Sequence, residues 1–289
     1  MFYSPLRYPG GKGKLAPFME LLIEKTGHTG GTYIEPFAGG AGIALNLLEK
    51  NLVSEIVIND LDKGIYSFWK AILTETDRFI DDILNVPLTI DEWNRQRMNL
   101  KNNGRYSYEL GFATFYLNRT NRSGIIKGGV IGGVEQNGNW KMDARFGRDK
   151  LIERILKIAD NKNKIHYYNK DVCSFIQNYL PRYEENAIVY FDPPYFGKGK
   201  QLYLNFFSYE DHVRIERMIN SQVNCDWVIT YDDVPEIADI YQNHILRRFD
   251  LNYSAAVKRK ASEIIIFRKL DMIPRIEQLE EKQIRVNLR

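Results

Sequence analysis

The sequence predicts an α/β fold built on a mostly parallel sheet, with a helical and hairpin insert between the sheet-forming segments. Three observations predict it. A strand at residues 32–37 runs into the glycine turn Ala38-Gly39-Gly40-Ala41-Gly42 and an apolar helix at 43–48. A second strand, 55–58, ends in Asn59-Asp60, and a buried strand, 187–191, stops at Asp192-Pro193-Pro194-Tyr195. Between the second and the last of these, four helical patterns follow one another, and there the insert falls.

In chain order, Leu6-Arg7-Tyr8-Pro9-Gly10-Gly11-Lys12-Gly13-Lys14 precedes an apolar helix at 15–24. Phosphate binding is not expected there, because the G-x-x-x-x-G-K-[ST] spacing and a preceding strand are both missing. Tyr8 and Lys12 suit instead the aromatic and carboxylate parts of an amino-acid-bearing nucleoside. After the first strand, glycines at the strand-to-helix turn let a ligand approach the backbone at the carboxyl edge of the sheet. The spacing is not G-x-G-x-x-G, which argues against a pyrophosphate. An acid at the tip of the second strand suits two ribose hydroxyls. Asp60 also fits an ordinary helix cap, but its position favours the ligand role. Glu35, Phe37, Gly39 and Asp60 are therefore the candidate contacts to a nucleoside cofactor.

The insert, 62–165, reads as helices at 63–73, 77–84, 90–100 and 106–117, then as a glycine-rich hairpin at 128–140 turning on Asn137-Gly138. Asn118, Arg119, Arg122 and Lys127 border that hairpin, which can enter a groove and present polar groups to base edges. The whole chain of 289 residues carries a net charge of only +3. Residues 101–150, however, hold nine Lys or Arg against four acids, so the basic surface is confined to the insert.

Beyond the insert come a strand at 165–168, a helix at 172–180, and the strand that ends in Asp192. Two prolines stiffen this strand end, fixing a carboxylate, a proline carbonyl and an aromatic ring together. Such a site can hold a planar amine. Asp192 and the Pro193 carbonyl accept its two hydrogens, drawing the nitrogen lone pair out of conjugation, while Tyr195 stacks on the ring and Pro194 rigidifies the turn. A methyl on a sulfonium can then be displaced directly. The basic loop after it carries Lys198 and Lys200. A helix at 209–221 and strands at 227–231 and 263–267 follow, with Lys258-Arg259-Lys260 placed to grip phosphates. The tail, 272–289, reads as charged and helical.

Taken in order, Tyr8-Pro9-Gly10-Gly11-Lys12, Glu35-Pro36-Phe37-Ala38-Gly39-Gly40, Asn59-Asp60, Asn118-Arg119 and Asp192-Pro193-Pro194-Tyr195 resemble the Dam-like DNA adenine methyltransferases of the alpha group. The resemblance spans residues 5–270. It implies a Rossmann-like catalytic domain of residues 1–61 and 166–271, with 62–165 as the target-recognition domain. It also implies transfer of a methyl from S-adenosylmethionine to the 6-amino nitrogen of a flipped adenine in double-stranded DNA. By the same resemblance Tyr8 and Lys12 contact the cofactor, Asp60 takes its ribose, Asp192 is the catalytic acid beside the cofactor, and Asp171 reaches the cofactor's adenine. Asp171 fits a plain helix cap equally well. Where the family commonly has an aromatic, Asn and Gly after Asn-Arg, this chain has Arg122-Ser123-Gly124, so no target sequence is carried over.

Cys173 and Cys225 are isolated and the four histidines scattered, so neither a disulfide framework nor a metal site is expected. No secretory signal or membrane-length apolar run is evident. The expectation is a cytoplasmic, nucleoid-associated enzyme of bacterial or phage origin, a monomer or weak dimer, with a cognate restriction nuclease as a candidate partner. Other readings of the same residues are a cytosine or RNA-adenine methyltransferase, a catalytically dead DNA-binding module, and a nicotinamide oxidoreductase. The last is disfavoured by the glycine spacing.

Overall fold

The computed structural model describes residues 4–7, 12–101, 106–196, 207–253, 259–284, 286 and 288–289, without the side chains of 14, 250–253 and 259–261. Tyr8, Lys198, Lys200 and Lys258 lie outside the described residues, as does the Arg259 side chain.

Seven strands form one sheet in the order β3-β2-β1-β4-β5-β7-β6. They are β1 (Thr32–Glu35), β2 (Glu55–Asn59), β3 (Ile165–Tyr168), β4 (Ala187–Phe191), β5 (Asp226–Asp232), β6 (Ile245–Tyr253) and β7 (Arg259–Phe267). β1 to β5 run parallel, and β7 is antiparallel to both β5 and β6. This is a doubly wound, Rossmann-like order. The direction of winding reverses between β1 and β4, and at such a reversal the connections leave a crevice beyond the strand ends.

Both faces of the central strands β1, β2 and β4 are covered, so these strands are buried almost throughout rather than alternating, whereas edge strand β3 is mostly half-buried. Tyr33, Ile56, Ile58, Ile188 and Tyr190 face one apolar cluster, with α1 (Ala16–Thr26) and α2 (Gly42–Glu49) packed against them. Ile34, Val57, Val189 and Phe191 face the other, covered by residues of the later helices. Those are α8 (Val172–Asn178), α9 (Tyr209–Gln222) and α10 (Pro235–Ile240).

The insert contributes α3 (Lys63–Thr74), α4 (Thr76–Asn85), α5 (Ile90–Lys101), α6 (Tyr108–Thr120) and α7 (Arg148–Asp160). Phe68 and Phe115 stack in parallel 6.0 Å apart, and Phe79 packs edge-on against both. This aromatic core is continuous with the first face of the sheet, so the insert and the sheet share one apolar cluster.

Residues 128–140 do not form the expected hairpin. The described backbone there has a single isolated bridge, Asn121 to Val130, followed by turns. Gly132 and Gly133 take φ of +88° and +79° in succession, and Gln136 also has positive φ. Its side-chain amide donates to the Ile131 and Gly133 carbonyls and accepts from Met142 N–H. The loop's polar groups are thus satisfied by this side chain, by turn bonds within the loop and by short pairing with residues 120–122, not by a second hairpin strand.

Helix α7 and strand β6 were not expected from the sequence. The tail differs too, since its helix, α11 (Ile276–Glu281), is short. Met272, Leu279 and Val286 are buried in the first apolar cluster. Arg289 and Arg248 exchange backbone hydrogen bonds at 2.8 Å, covering part of edge strand β6.

Candidate active site

Both motifs emerge at the carboxyl ends of neighbouring strands, since Thr32, Tyr33 and Ile34 of β1 pair with Ala187, Ile188 and Val189 of β4. The crevice between β1 and β4 therefore receives the glycine turn on one side and the Asp192 turn on the other.

On the glycine side, Asp60 Oδ2 accepts from Gly39 N–H at 2.8 Å and Oδ1 accepts from Asp62 N–H at 2.9 Å. Gly39 has φ +47°, a conformation that its lack of a Cβ permits. Its carbonyl accepts from Trp69 Nε1 at 3.0 Å, so α3 of the insert clamps the turn. A Cβ at Gly42 would meet nothing within 4 Å, so space is left open where α2 begins. Asp60 borders a recess with Ala38, Trp69 and Tyr168. Burial pushes its carboxyl up to about 7. The carboxylate still has acceptor sites for two hydroxyls, so the turn fits a nucleoside. Glu35 sits beneath, accepting from Ala44 N–H at 3.1 Å, and burial raises it to about 8. Phe37 packs edge-on against Phe207.

Asp171 caps α8, accepting from Cys173 and Ser174 N–H, and pairs with Arg214 of α9 at 3.5 Å. The cap alternative is thus realised at this position.

On the other side, Asp192 Oδ1 accepts from Thr230 Oγ1 at 3.0 Å, and Thr230 in turn pairs with the Tyr190 hydroxyl at 2.7 Å. Among the described residues no donor reaches Asp192 Oδ2 or the Pro193 carbonyl. Burial raises the Asp192 carboxyl to about 6, against the opposing pull of the Lys12 charge. Lys12 Nζ lies 3.9 Å from Asp192 Oδ1 and pairs more closely with Glu263. The Tyr195 hydroxyl donates to Glu263 Oε1 at 2.8 Å, and Lys12 lies 4.7 Å from the Tyr195 ring centroid. Beyond the turn, Phe196 N–H donates to Asp232. Thr230, Asp232 and Glu263 were not singled out in the sequence. Each is an ordinary strand residue until β5 and β7 pair, which sets Asp232 against Glu263.

Two DNA-contact assignments are corrected. Asn118 is fully buried, accepting from Arg7 N–H and donating to the Arg7 and Gly124 carbonyls at 2.6 and 2.9 Å. Its hydrogen-bonding capacity is spent on fastening residue 7 to the end of α6. Gly124 is confined there, because a Cβ on it would lie 2.4 Å from the Arg7 carbonyl oxygen. Arg119 turns inward, donating to the Arg145 carbonyl at 2.7 Å, and burial with Arg7, Arg154 and Arg145 nearby lowers it to about 9. Among the described residues, Arg7, Arg119, Arg145 and Arg154 form no ion pair, and Arg7, Arg145 and Arg154 lie close enough to Arg119 to depress its ionisation. Arg122, Lys127 and Lys141 are exposed on the adjoining turns, as is Trp140, which is 75% exposed.

A cleft of about 260 Å³ between α2 and α7, lined by Leu45, Glu49, Arg154 and Lys157, lies apart from these strand ends.

A doubly wound sheet with a glycine turn after β1, an acid after β2 and a carboxylate between prolines and the end of β4 has the layout of an α/β enzyme that takes a nucleoside-type cofactor at its strand ends. The family model for D12 class N6 adenine-specific DNA methyltransferases matches residues 8–256, and the chain belongs to that family. Its activity is N6 methylation of adenine in DNA, with S-adenosylmethionine as the donor. The type II methyltransferase M.MjaIII of Methanocaldococcus jannaschii is 25% identical over 205 residues, 66% of this chain and 68% of the relative. Among solved structures, the rRNA methyltransferase aviRa from Streptomyces viridochromogenes aligns with a TM-score of 0.42 and 13% identity, covering 92% of this chain and 88% of its own. The protein LPL1258 from Legionella pneumophila aligns at 0.36 and 13%, covering 96% and 90%. Likeness at that level carries no argument, and the fold stands on its strand order.

Proposed function

We propose that the chain methylates adenine at a specific site in double-stranded DNA, with the flipped base held by Asp192, the Pro193 carbonyl and Tyr195. One observation carries this reading: Asp192 is pinned through Oδ1, while among the described residues no donor reaches Oδ2 or the Pro193 carbonyl at the β4 end. Those two acceptors take the two hydrogens of the amine and raise its nucleophilicity. S-adenosylmethionine supplies an electrophilic methyl whose bond to sulfur breaks as the bond to nitrogen forms. The proton that the methylated nitrogen loses passes to Asp192 Oδ2 and on to solvent. A carboxyl raised to about 6 is suited to both ends of that exchange.

Asp60, Gly39, Glu35, Phe37 and Lys12 are the residues assigned to the cofactor, with Asp171 at the far end. The place of Gly39 and Asp60 together at the ends of β1 and β2 supports this. Residues 62–165 are assigned to target recognition, where Arg145 and Arg154, with Arg7 beside them, offer phosphates positive charge, and Arg122, Lys127 and Trp140 are exposed. Lys198, Lys200, Lys258 and the Arg259 side chain lie outside the described residues, and their assignment to the target backbone rests on the sequence alone.

A cognate restriction nuclease is inferred from the type II relative. A cytoplasmic, nucleoid-associated monomer or weak dimer of bacterial or phage origin fits a DNA substrate, and no described helix is long and apolar enough to cross a membrane. Sequencing DNA from cells expressing the protein, with direct readout of modified bases, tests the reading. Methylated adenine at one recurring sequence is expected, whereas unmodified DNA or methylcytosine overturns it.

A further inference from the structure

We propose that Glu263 is a positioning residue for methyl transfer: from β7 its carboxylate bridges the Lys12 ammonium and the Tyr195 hydroxyl, and so withholds Lys12 from Asp192. The proposal rests on the reading of Asp192 as the acceptor of the target amine.

Glu263 is 1% exposed, and a carboxylate so buried is retained only with partners. Both oxygens are engaged, Oε1 by Tyr195 at 2.8 Å and Oε2 by Lys12 at 2.5 Å. Lys12 Nζ remains 3.9 Å from Asp192 Oδ1, beyond hydrogen-bonding range. The distances decide what the lysine does. Bonded directly to Asp192, it would compete with the amine for the carboxylate. Held by Glu263 and also donating to the Tyr195 hydroxyl, it exerts a positive field on Asp192 without bonding to it. The same carboxylate fixes the Tyr195 hydroxyl and hence the ring at the turn. Strand pairing makes the arrangement rigid, because Glu263 lies opposite Asp232 and two residues from Ile265, the partner of Thr230.

Asp192 is also faced by Thr230 and Tyr231 of β5, Tyr190 of β4, and Tyr33 and Glu35 of β1. Of these groups and the network, Lys12 is the one that carries positive charge.

The test is single-turnover methylation of an adenine-containing duplex by the full chain, followed from about pH 5 to 9. The acid limb of the wild-type profile reports ionisation of Asp192. Glu263→Gln removes one negative charge and the ion pair of Lys12, which keeps its bond to the Tyr195 hydroxyl and can swing closer to Asp192. Its plateau rate should fall on the order of ten- to a hundredfold while the acid limb moves to lower pH. Lys12→Met should move the acid limb the other way. Glu263→Asp keeps the charge, so its limb should stay in place whatever its rate. Because removing both partners leaves no lone buried charge, the double variant Lys12→Met/Glu263→Gln remains foldable if a single one does not. Its loss should be less than the product of the single losses, and its limb should lie above wild type, since the lysine has the larger effect. An unmoved acid limb in Glu263→Gln and in the double variant, or strictly multiplicative losses, overturns the proposal in favour of simple packing. If the wild-type chain transfers no methyl to adenine in DNA, the Asp192 reading fails first, and that result is distinct.

Discussion

Thr230 Oγ1 donates to Asp192 Oδ1 at 3.0 Å, joining the middle of β5 to the turn that ends β4. With the Tyr190 hydroxyl behind it, this bond chooses which oxygen is structural and which faces the crevice. Thr230→Val should therefore lower the single-turnover rate by about ten- to a hundredfold, with S-adenosylmethionine affinity nearly unchanged. Asp192→Ala should be more severe. Retention of over about a tenth of the wild-type rate, a loss under about 1.4 kcal/mol, would remove Asp192 from catalysis.

Asp60 offers a second test through pH. Burial raises its carboxyl to about 7, yet two ribose hydroxyls are best accepted by the ionised form. Cofactor binding should release a proton near neutrality and weaken as pH falls below about 7. Calorimetry with S-adenosylhomocysteine in buffers of differing ionisation heat measures that release. Asp60→Ala should lose both the proton and most of the affinity, and unchanged affinity takes Asp60 out of the ribose site.

Stability of the cofactor-free chain should show the same groups with a definite sign. Glu35, Asp60 and Asp192 are raised to about 8, 7 and 6, so the folded state holds protons that the unfolded chain has already lost. Their contribution is therefore full below the ordinary carboxylate range and declines as pH rises from about 4 to about 8. Urea midpoints across that window should fall, and Glu35→Gln should flatten the upper part of the slope. A midpoint that rises over the same range through wild type and variant alike contradicts the burial of these carboxyls.

Asn118 should behave as scaffold. Asn118→Ala strands the Arg7 and Gly124 carbonyls and the Arg7 N–H, at a cost of about 2 to 3 kcal/mol. The expected signature is a lower melting temperature with nonspecific DNA affinity little altered near room temperature. A stable variant with weakened DNA binding restores Asn118 to the interface.

Trp140 provides a direct probe of the insert, because Trp69, Trp93 and Trp227 are buried and it is not. Duplex DNA should change its emission, and Trp140→Phe should abolish the change. Arg122→Ala should relax discrimination at one base pair by about 1 to 3 kcal/mol if its contact is to a base. A uniform fall over a panel of single-base variants would make it a phosphate contact.

Local pattern carried much of the architecture. Strands 165–168 and 187–191 and the helices from 63 to 120 follow from apolar periodicity, and the prolines after Asp192 mark a strand end by covalent geometry alone. Helix α7 carries Leu151, Ile155 and Ile158 at helical spacing, but the Lys and Arg residues around them fit a solvated basic surface equally well, so the pattern does not single out a helix. Asn137-Gly138 misled for the opposite reason. A turn signal makes a hairpin only when flanking strands can pair, and Gly132, Gly133 and the Gln136 amide give that backbone other partners.

By itself the sequence determined the strand ends, the glycine turn, the acid after β2 and the Asp192 turn, because each is a matter of neighbours in the chain. Tertiary structure decided which polar groups meet. Glu263 lies 251 residues from Lys12, and Asn118 lies 111 from Arg7. No local preference distinguishes Glu263 from any other strand acid, or Asn118 from a residue free to touch DNA. Only when β5 pairs with β7, and α6 packs beneath residue 7, do burial and low dielectric force those side chains to satisfy one another.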